Sequence, residues 1–271
     1  MNGITVSIVS FNTRDLIEKC LKTLLVGSNE LLLQTIVVDN GSDDGSPQLI
    51  EEIFKDNPKL NGILIKNKNN AGFAKANNQA IRKAKYDHIL LLNSDAFITK
   101  DQVYELLKYA KKFSNAGGVV PRLINADGST QMSVRKLPTV IGAIKEYFLG
   151  MKNEYEFYAP KGDEVQVEFA SFACFLLTPD AIAKVKMLDE KYFFYYEDID
   201  FCKRLKDADL PIYYVTKVSV THLMGQSGKA IADDKNQWRR LIAGSKRYHG
   251  FLVHNLLFLI IWSAQKFKKG D

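Results

Sequence analysis

The first half of the chain alternates short apolar runs with amphipathic segments. Ile4–Val9 is apolar and β-rich, and Arg14–Leu25 follows with Leu16, Ile17, Cys20, Leu21 and Leu24 on the spacing of one helix face. Thr35–Val38, Gly62–Ile65 and Ile89–Leu92 read as further strands. Pro47–Phe54, Ala74–Ala84 and Gln102–Phe113 read as the intervening helices. Ser46 or Asp44 suits the N-cap of the second helix, with Pro47 at its first position, and Thr99 or Lys100–Asp101 starts the fourth. This repetition predicts an α/β fold with a mostly parallel sheet, helices on both faces and right-handed crossovers. The second half is less regular. Gly117–Leu123 reads as a strand, Asn125–Glu164 has poor periodicity with a turn at Asp127–Gly128, and Val165–Leu177 is a long β-type run. Pro179–Met187 and Asp198–Ala208 read as helices, and Ile212–Val215 with Val218–Thr221 as a strand pair. With no repeat and no linker, the expected organisation is one α/β domain over residues 1–232 and a C-terminal helical segment over 233–271.

Composition narrows this picture. The chain has 271 residues, 46% hydrophobic and 25% charged, which excludes a disordered protein. Its three cysteines, Cys20, Cys174 and Cys202, are an odd number without a C-x-x-C pair, so buried free thiols are expected rather than a disulfide framework or zinc site. The formal charge of +6 is concentrated at one end. From Lys235 onward, Arg239, Arg240, Lys246, Arg247, Lys266, Lys268 and Lys269 face a single acid, Asp271. The basicity is thus a C-terminal feature, and no nucleic-acid partner is expected. Met1–Gly3 lacks a basic leader, so no signal peptide is expected. No stretch reaches the ~18–20 apolar residues of a spanning helix; Phe251–Ala264 comes nearest, with His254 and Asn255 inside it.

Candidate chemistry lies where the strands end. In open α/β sheets, ligands bind at the carboxyl ends of the strands. There the sequence places Ser10–Asn12, Asp39–Ser46, Asn67–Phe73 and Asn93–Asp95, four polar loops on one sheet edge. No G-x-G-x-x-G follows the first strand and there is no P-loop, which disfavours a dinucleotide or P-loop phosphate site. Asp95 closes an apolar strand, where one carboxylate beside a diphosphate suits Mg²⁺ or Mn²⁺; it equally suits a turn or the cap of the next helix. In Glu197-Asp198-Ile199-Asp200, helical spacing puts Glu197 and Asp198 above Phe201 and Cys202 on the apolar side, and Asp200 with Arg204 on the polar side. Inward acids near one another have raised pKa values, in the direction of a general base. His222 alone among four histidines ends an apolar strand, and it becomes a metal-ligand candidate if Asp95 lies beside it.

Taken in order, these residues resemble a family 2 glycosyltransferase with the glycosyltransferase-A fold, in its rhamnosyltransferase-like branch. The matching text is V-S-I-V-S-F-N at 6–12, V-V-D-N-G-S-D-D-G-S at 37–46, N-N-A-G-F-A-K-A-N-N at 69–78, L-L-N-S-D at 91–95, F-F-Y-Y-E-D-I-D-F-C-K-R-L at 193–205 and T-H at 221–222. The resemblance implies a Rossmann-like sheet and an inverting, metal-dependent transfer from a nucleotide-diphosphate sugar. It places Ser10 and Asn12 beside the nucleotide and has Asp39 accept from the N3–H of a uracil or thymine base. Asn69, Gly72 and Asn77 shape the nucleotide and sugar pocket, and Asn93 and Ser94 join them. Asp95 holds Mg²⁺ or Mn²⁺ on the diphosphate with His222, and Asp198 is the general base with Glu197 beside it. The family's D-x-D pattern is Asn93-Ser94-Asp95 here, an amide in place of the first carboxylate, which implies weak metal binding by the free enzyme.

Within the family, the branch favours dTDP-L-rhamnose, with UDP-galactose, UDP-glucose or UDP-N-acetylglucosamine as alternatives. The implied acceptor is a hydroxyl of a glycan or lipid-linked glycan in cell-surface polysaccharide synthesis. A nucleotidyltransferase would need a Gly- and Arg-rich loop where S-F-N-T-R stands. A non-catalytic sugar-nucleotide-binding protein would have no need of the Glu197–Asp198 pair. Trp238–Gly250 is basic and aromatic, and Phe251–Phe267 is apolar with Trp262. That composition suits a helix lying in the headgroup region at the inner face of the cell membrane, or alternatively one packed on protein. A cytoplasmic, peripheral location is expected, and the oligomeric state is left open.

Overall fold

The computed structural model describes residues 3–28, 31–226 and 237–268, with backbone only at 237–240 and 267–268. The 232/233 boundary, Lys235 and Lys269 lie outside the described residues. In chain order the first half reads β1 (Gly3–Ser10), α1 (Arg14–Leu24), β2 (Leu32–Asp39), α2 (Ser46–Asp56), β3 (Gly62–Lys66), α3 (Phe73–Lys83), β4 (Ile89–Asn93), β5 (Ala96–Phe97) and α4 (Lys100–Lys112). The second half reads β6 (Gly118–Ile124), β7 (Val134–Arg135), α5 (Val140–Phe148), β8 (Glu164–Val167), β9 (Phe169–Ala170), β10 (Cys174–Leu177), α6 (Pro179–Val185), α7 (Glu197–Asp207), β11 (Ile212–His222), α8 (Gln237–His249) and α9 (Phe251–Lys268).

The main sheet has the order β3-β2-β1-β4-β10-β6-β11-β5, with β8 also on β11. β1 pairs parallel with β2 on one side and β4 on the other, and β2 pairs parallel with β3. The four polar loops therefore leave one edge, and the chain changes direction across the sheet between β1 and β4, where such sheets open a crevice. β10 runs antiparallel between β4 and β6. Alternation along β4 divides the core: Leu90 and Leu92 join Ile17 and Leu21 of α1 on one face, while Ile89 and Leu91 join Phe201 and Leu205 of α7 on the other. All three cysteines are buried free thiols. Thr99 starts α4 with a reciprocal capping box to Gln102, whereas α2 follows Gly45 without a side-chain N-cap.

Three expectations are corrected. The run Val165–Leu177 is broken into β8, β9 and β10, because β9 leaves the main sheet to pair with β7. The expected pair Ile212–Val215 and Val218–Thr221 is one strand, β11, whose register against β6 shifts between Val215 and Ser219. The poorly periodic stretch 125–164 contains α5, capped by Thr139 Oγ1 accepting from the Gly142 N–H at 3.0 Å.

Candidate active site

A cavity of about 510 Å³ opens at the carboxyl ends of β1 and β4. Val9 and Phe11, Asn40, Asn70, Asn93 and Ser94 line it from the four strand-end loops. Gln131–Ser133, Phe157 and Phe172 close one side, and Phe194, Tyr195, Glu197, Asp198 and His222 another. The wall is largely apolar with a few convergent polar groups, the usual make-up of a small-molecule site. Two of those groups are buried without a hydrogen-bond partner among the described residues, Ser94 Oγ and Glu197 Oε2. An unsatisfied buried polar atom costs about 1–3 kcal/mol, so its persistence at a cavity wall points to a ligand.

The acids enter on a strained loop. Tyr195 and Tyr196 have φ of 68° and 72°, the left-handed region that non-glycine residues seldom adopt. Two successive residues there put Glu197 and Asp198 at the first turn of α7, facing inward, while Asp200 pairs with Arg204 at 2.9 Å on the other side. Gly72 holds this loop from the β3–α3 side. Its φ is +86°, and a Cβ there would lie 2.6 Å from the Phe193 carbonyl oxygen, which accepts from the Phe73 N–H at 3.0 Å. Gly244 of α8 holds it from the opposite side, where a Cβ would lie 3.0 Å from the Tyr195 carbonyl oxygen.

Burial pushes the Asp198 carboxyl up to about 6, against the pull of the Ile199 N–H, which donates to Oδ1 at 2.8 Å, and of the Arg135 guanidinium. Burial first and the Asp198 charge second hold the Glu197 carboxyl well above the usual range. Both carboxyls are thus raised, the direction that suits a general base. Arg135 lies over the rings of Phe157 (4.9 Å), Phe169 (5.4 Å) and Tyr155 (5.9 Å), and its Nε is buried without a partner among the described residues. The sequence alone gives no signal for it, because its aromatic cage is assembled from two segments distant in the chain, 155–157 and 169.

Asp95 and His222 meet. The Asp95 side chain is fully buried, and its Oδ1 lies 3.4 Å from His222 Nε2. On the other ring nitrogen, Nδ1 faces Gln131 Oε1 at 2.7 Å. Gln131 Nε2 donates to Asn125 Oδ1 at 2.9 Å, which fixes the amide with its oxygen toward the ring. His222 thus carries its proton on Nδ1 in the neutral form and turns the Nε2 lone pair toward a carboxylate oxygen. Two such donors fit a divalent cation that completes its shell with diphosphate oxygens and water. No group of three or more His, Cys, Asp or Glu side chains that could hold a metal is found among the described residues.

The remaining predicted positions are more dispersed. Asp39 is buried at the end of β2, its carboxylate accepting from Gly41 N–H (3.1 Å), Ser42 N–H (2.9 Å) and Ser42 Oγ (2.6 Å). Asn12 has φ of 51° and accepts from the Asp43 N–H at 2.9 Å, joining the β1 and β2 loops. Ser10 Oγ lies 3.0 Å from Thr13 Oγ1. Asn77 is buried under the sheet, bonded to Ser7 Oγ (2.8 Å) and the Phe73 carbonyl (3.1 Å). Asn69 is exposed. Among these loops it is Asn40 and Asn70 that reach the cavity wall. Both are next-door neighbours of residues singled out from the sequence, so the loops were legible and the orientation within them was not.

Known proteins resemble the chain in sequence and in fold. The chain is 26% identical over 232 residues, 79% of its own length and 74% of the other's, to an N-acetylglucosaminyl-diphospho-decaprenol L-rhamnosyltransferase of Mycobacterium tuberculosis. Its fold is similar to that of the mannosyltransferase PcManGT from Pyrobaculum calidifontis, solved with GDP-Man and Mn²⁺, with a TM-score of 0.63 and 13% identity over 99% of this chain and 75% of that one. It is also similar to GalNAc-T7 solved with UDP, GalNAc and Mn²⁺, with a TM-score of 0.63 and 14% identity over 81% of this chain and 43% of that one. The fold is of the glycosyltransferase-A type. The model of the family described as "Glycosyl transferase family 2" matches residues 5–184, two thirds of the chain, and the chain belongs to that family of glycosyltransferases.

Proposed function

We propose that the protein transfers a sugar, with inversion, from a nucleotide-diphosphate donor to a hydroxyl of a glycan or lipid-linked glycan. The observation that carries this reading is the Glu197–Asp198 pair on the cavity wall, Glu197 buried and Asp198 half-buried, with both carboxyls raised. Asp198 takes the proton as the acceptor oxygen attacks the anomeric carbon and the bond from that carbon to the diphosphate oxygen breaks. Glu197, whose Oε2 is buried at the cavity without a partner among the described residues, lies beside Asp198. Asp95 and His222 would hold Mg²⁺ or Mn²⁺, which neutralises charge on the leaving diphosphate when bound. Asn40, Asn70, Asn93 and Ser94 present amides and a hydroxyl to the nucleotide and sugar. Asp39, Asn12 and Ser10 sit on the same strand-end loops, and Asp39, which already accepts three hydrogen bonds, keeps about one lone pair for a base N3–H. Gly72 packs on Phe193, Asn77 steadies α3 from its buried side against Ser7, and Asn69 stays exposed on the same loop.

The favoured donor is dTDP-L-rhamnose. The similarity to an L-rhamnosyltransferase supports it, as does the apolar wall of Phe11, Phe172 and Phe194, which suits a sugar ending in a methyl group. A UDP-sugar is the second reading, because uracil and thymine share the N3–H edge that Asp39 would accept. The protein is read as peripheral at the inner face of the cell membrane, through its basic and apolar C-terminal segment 233–271. No helix of the described residues is long and apolar enough to cross a membrane. The test is donor turnover: incubation with Mn²⁺ or Mg²⁺ and a panel of dTDP- and UDP-sugars, with release of the nucleotide measured. Turnover of dTDP-rhamnose alone, lost in Asp95→Ala, supports the full reading. Selective turnover of a UDP-sugar keeps the mechanism and discards the rhamnosyl assignment, and absence of both turnover and nucleotide binding overturns the reading.

A further inference from the structure

Helices α5 and α9 lie side by side, joined by Ala143 and Tyr155 against Leu257 and Ile260. A helix that is apolar all round belongs inside a protein or a membrane. Only one stripe of α9 is covered, however. Leu252 is 81% exposed, and Leu259 and Trp262 are about half exposed. The outer side of α5 continues the same surface through Ile141 (68% exposed), Phe148 and, in the turn that follows, Leu149 (66% exposed). Single exposed apolar residues are ordinary, but a two-helix surface of them is an interaction site.

The charges around this surface say what it meets. Residues 237–268, the whole of α8 and α9, contain no acid. Lys246 lies over the Phe251 ring at 5.5 Å and Lys266 over Trp262 at 4.4 Å, so basic groups border the apolar face toward both ends of α9. Two acids near α5 are held by local partners. Glu146 accepts from the backbone N–H groups of residues 153–156, and Glu154 pairs with Lys136 at 2.6 Å. An apolar face with a basic border along α9 matches an anionic lipid surface, with the exposed Glu156 beside Tyr147 as an opposing charge. A second copy would bring two basic borders together.

We propose that α5, the turn after it and α9 form one face that docks into the headgroup–acyl boundary of an anionic membrane, with Ile141, Phe148 and Leu149 as a second anchor beside α9. This rests on the peripheral reading above for its setting and adds an element outside the C-terminal segment. The face is fastened to the catalytic cavity at two points. The chain runs from Tyr155, under α9, to Phe157 in the cavity wall, and Gly244 of α8 packs on Tyr195, two residues before Glu197. Docking therefore fixes the cavity relative to the bilayer, as a lipid-anchored acceptor requires.

The test is flotation of the full chain with vesicles of phosphatidylcholine alone or of equal parts phosphatidylcholine and phosphatidylglycerol. The wild-type protein should float with the anionic vesicles, less so at raised salt. Ile141→Ser/Phe148→Ser/Leu149→Ser should lower the partition coefficient at least about tenfold, with unchanged circular dichroism and donor hydrolysis. Lys246→Gln and Lys266→Gln should each lower it about fivefold on anionic vesicles and little on neutral ones. If the triple variant floats like wild type while Leu252→Ser/Leu259→Ser/Trp262→Ser does not, the two-helix face is wrong and the peripheral reading survives. If the wild-type protein does not float, both fail; a concentration-dependent dimer dissociated by the same substitutions would then assign the face to a second copy. Donor hydrolysis is read separately, so none of these outcomes bears on the transferase assignment.

Discussion

Replacing Asp198 by Asn should abolish transfer and at the same time stabilise the fold at alkaline pH. The carboxyl titrates at about 6 in the folded protein against 3.8 for the ordinary group, because burial disfavours its charge. A raised carboxyl binds its proton more tightly in the folded than in the unfolded state, so folding is penalised once both states ionise it. Below about pH 4 the penalty is absent; it grows between pH 4 and 6 and is complete above 6. At about 1.4 kcal/mol per pH unit, the gap corresponds to about 3 kcal/mol. Asn keeps an oxygen for the Ile199 N–H, bonded at 2.8 Å in the native protein, and carries no charge. Its new amide N–H groups need partners, so a net gain of about 1–3 kcal/mol at pH 8 is expected. Urea denaturation of both proteins at pH 8 and pH 4.5 measures it, with the gain shrinking toward zero at the lower pH. Transfer should fall by about 10²–10⁴-fold, the usual contribution of a positioned base. A variant with the same relative stability at both pH values would refute the buried-charge argument, and one retaining transfer within tenfold would refute the base.

Other consequences are as direct. In wild type, kcat/KM should fall as pH drops through about 6; Arg135→Met, which removes a cation beside Asp198, should move that acid limb upward by about one pH unit. An unmoved limb in a pH–rate profile would show that Arg135 does not act on Asp198. Gly72→Ala should destabilise by about 2–4 kcal/mol, from the left-handed backbone and the displaced Phe193 carbonyl, and should lower kcat, both measurable by urea denaturation and donor turnover. Gln131→Leu leaves Asp95 and His222 in place but frees the ring's tautomer; Mn²⁺ affinity in the presence of nucleoside diphosphate, read by electron paramagnetic resonance, should weaken about 10–100-fold.

The sequence was most readable where period and burial coincide. β1, β2 and β4 are short apolar runs because both faces are covered, and the helices between them show one apolar stripe each. The meeting of Asp95 with His222 was conditional in the sequence, since 127 positions of chain separate them; β5 and β11 bring them together by pairing Ala96 with His222. α5 was hidden because Val-Ile-Gly-Ala-Ile is apolar without a polar face, and its apolar outer side is exposed. The cap Thr139, just after Pro138, was the available signal. Arg135 had no local signal at all, because its environment is made of rings from residues 155, 157 and 169.

Two glycines pack on the loop that carries the Glu197–Asp198 pair, Gly72 on Phe193 and Gly244 on the strained dipeptide Tyr195–Tyr196. A left-handed pair such as Tyr195–Tyr196 costs about 1–2 kcal/mol per residue and persists only when its surroundings over-determine it. Gly72 belongs to the β3–α3 loop, whose Asn70 lines the cavity, and Gly244 to α8, which carries the chain toward the exposed α9 face. Removing either close approach should relax the dipeptide and misplace Asp198 without touching it. That makes Gly244→Ala a sharp discriminator. A Cβ there would lie 2.9 Å from Tyr196 Cδ2 and 3.0 Å from the Tyr195 carbonyl oxygen, while alanine favours the helix itself by about 1 kcal/mol. If the packing against the dipeptide matters more than helix propensity, the variant should lose kcat by about tenfold or more with little change in donor KM, since a misplacement of about 1 Å can cost up to 10²-fold. If kcat is unchanged and the protein is more stable in urea, α8 is a passive cover and the position of the base is set from the Gly72 side alone.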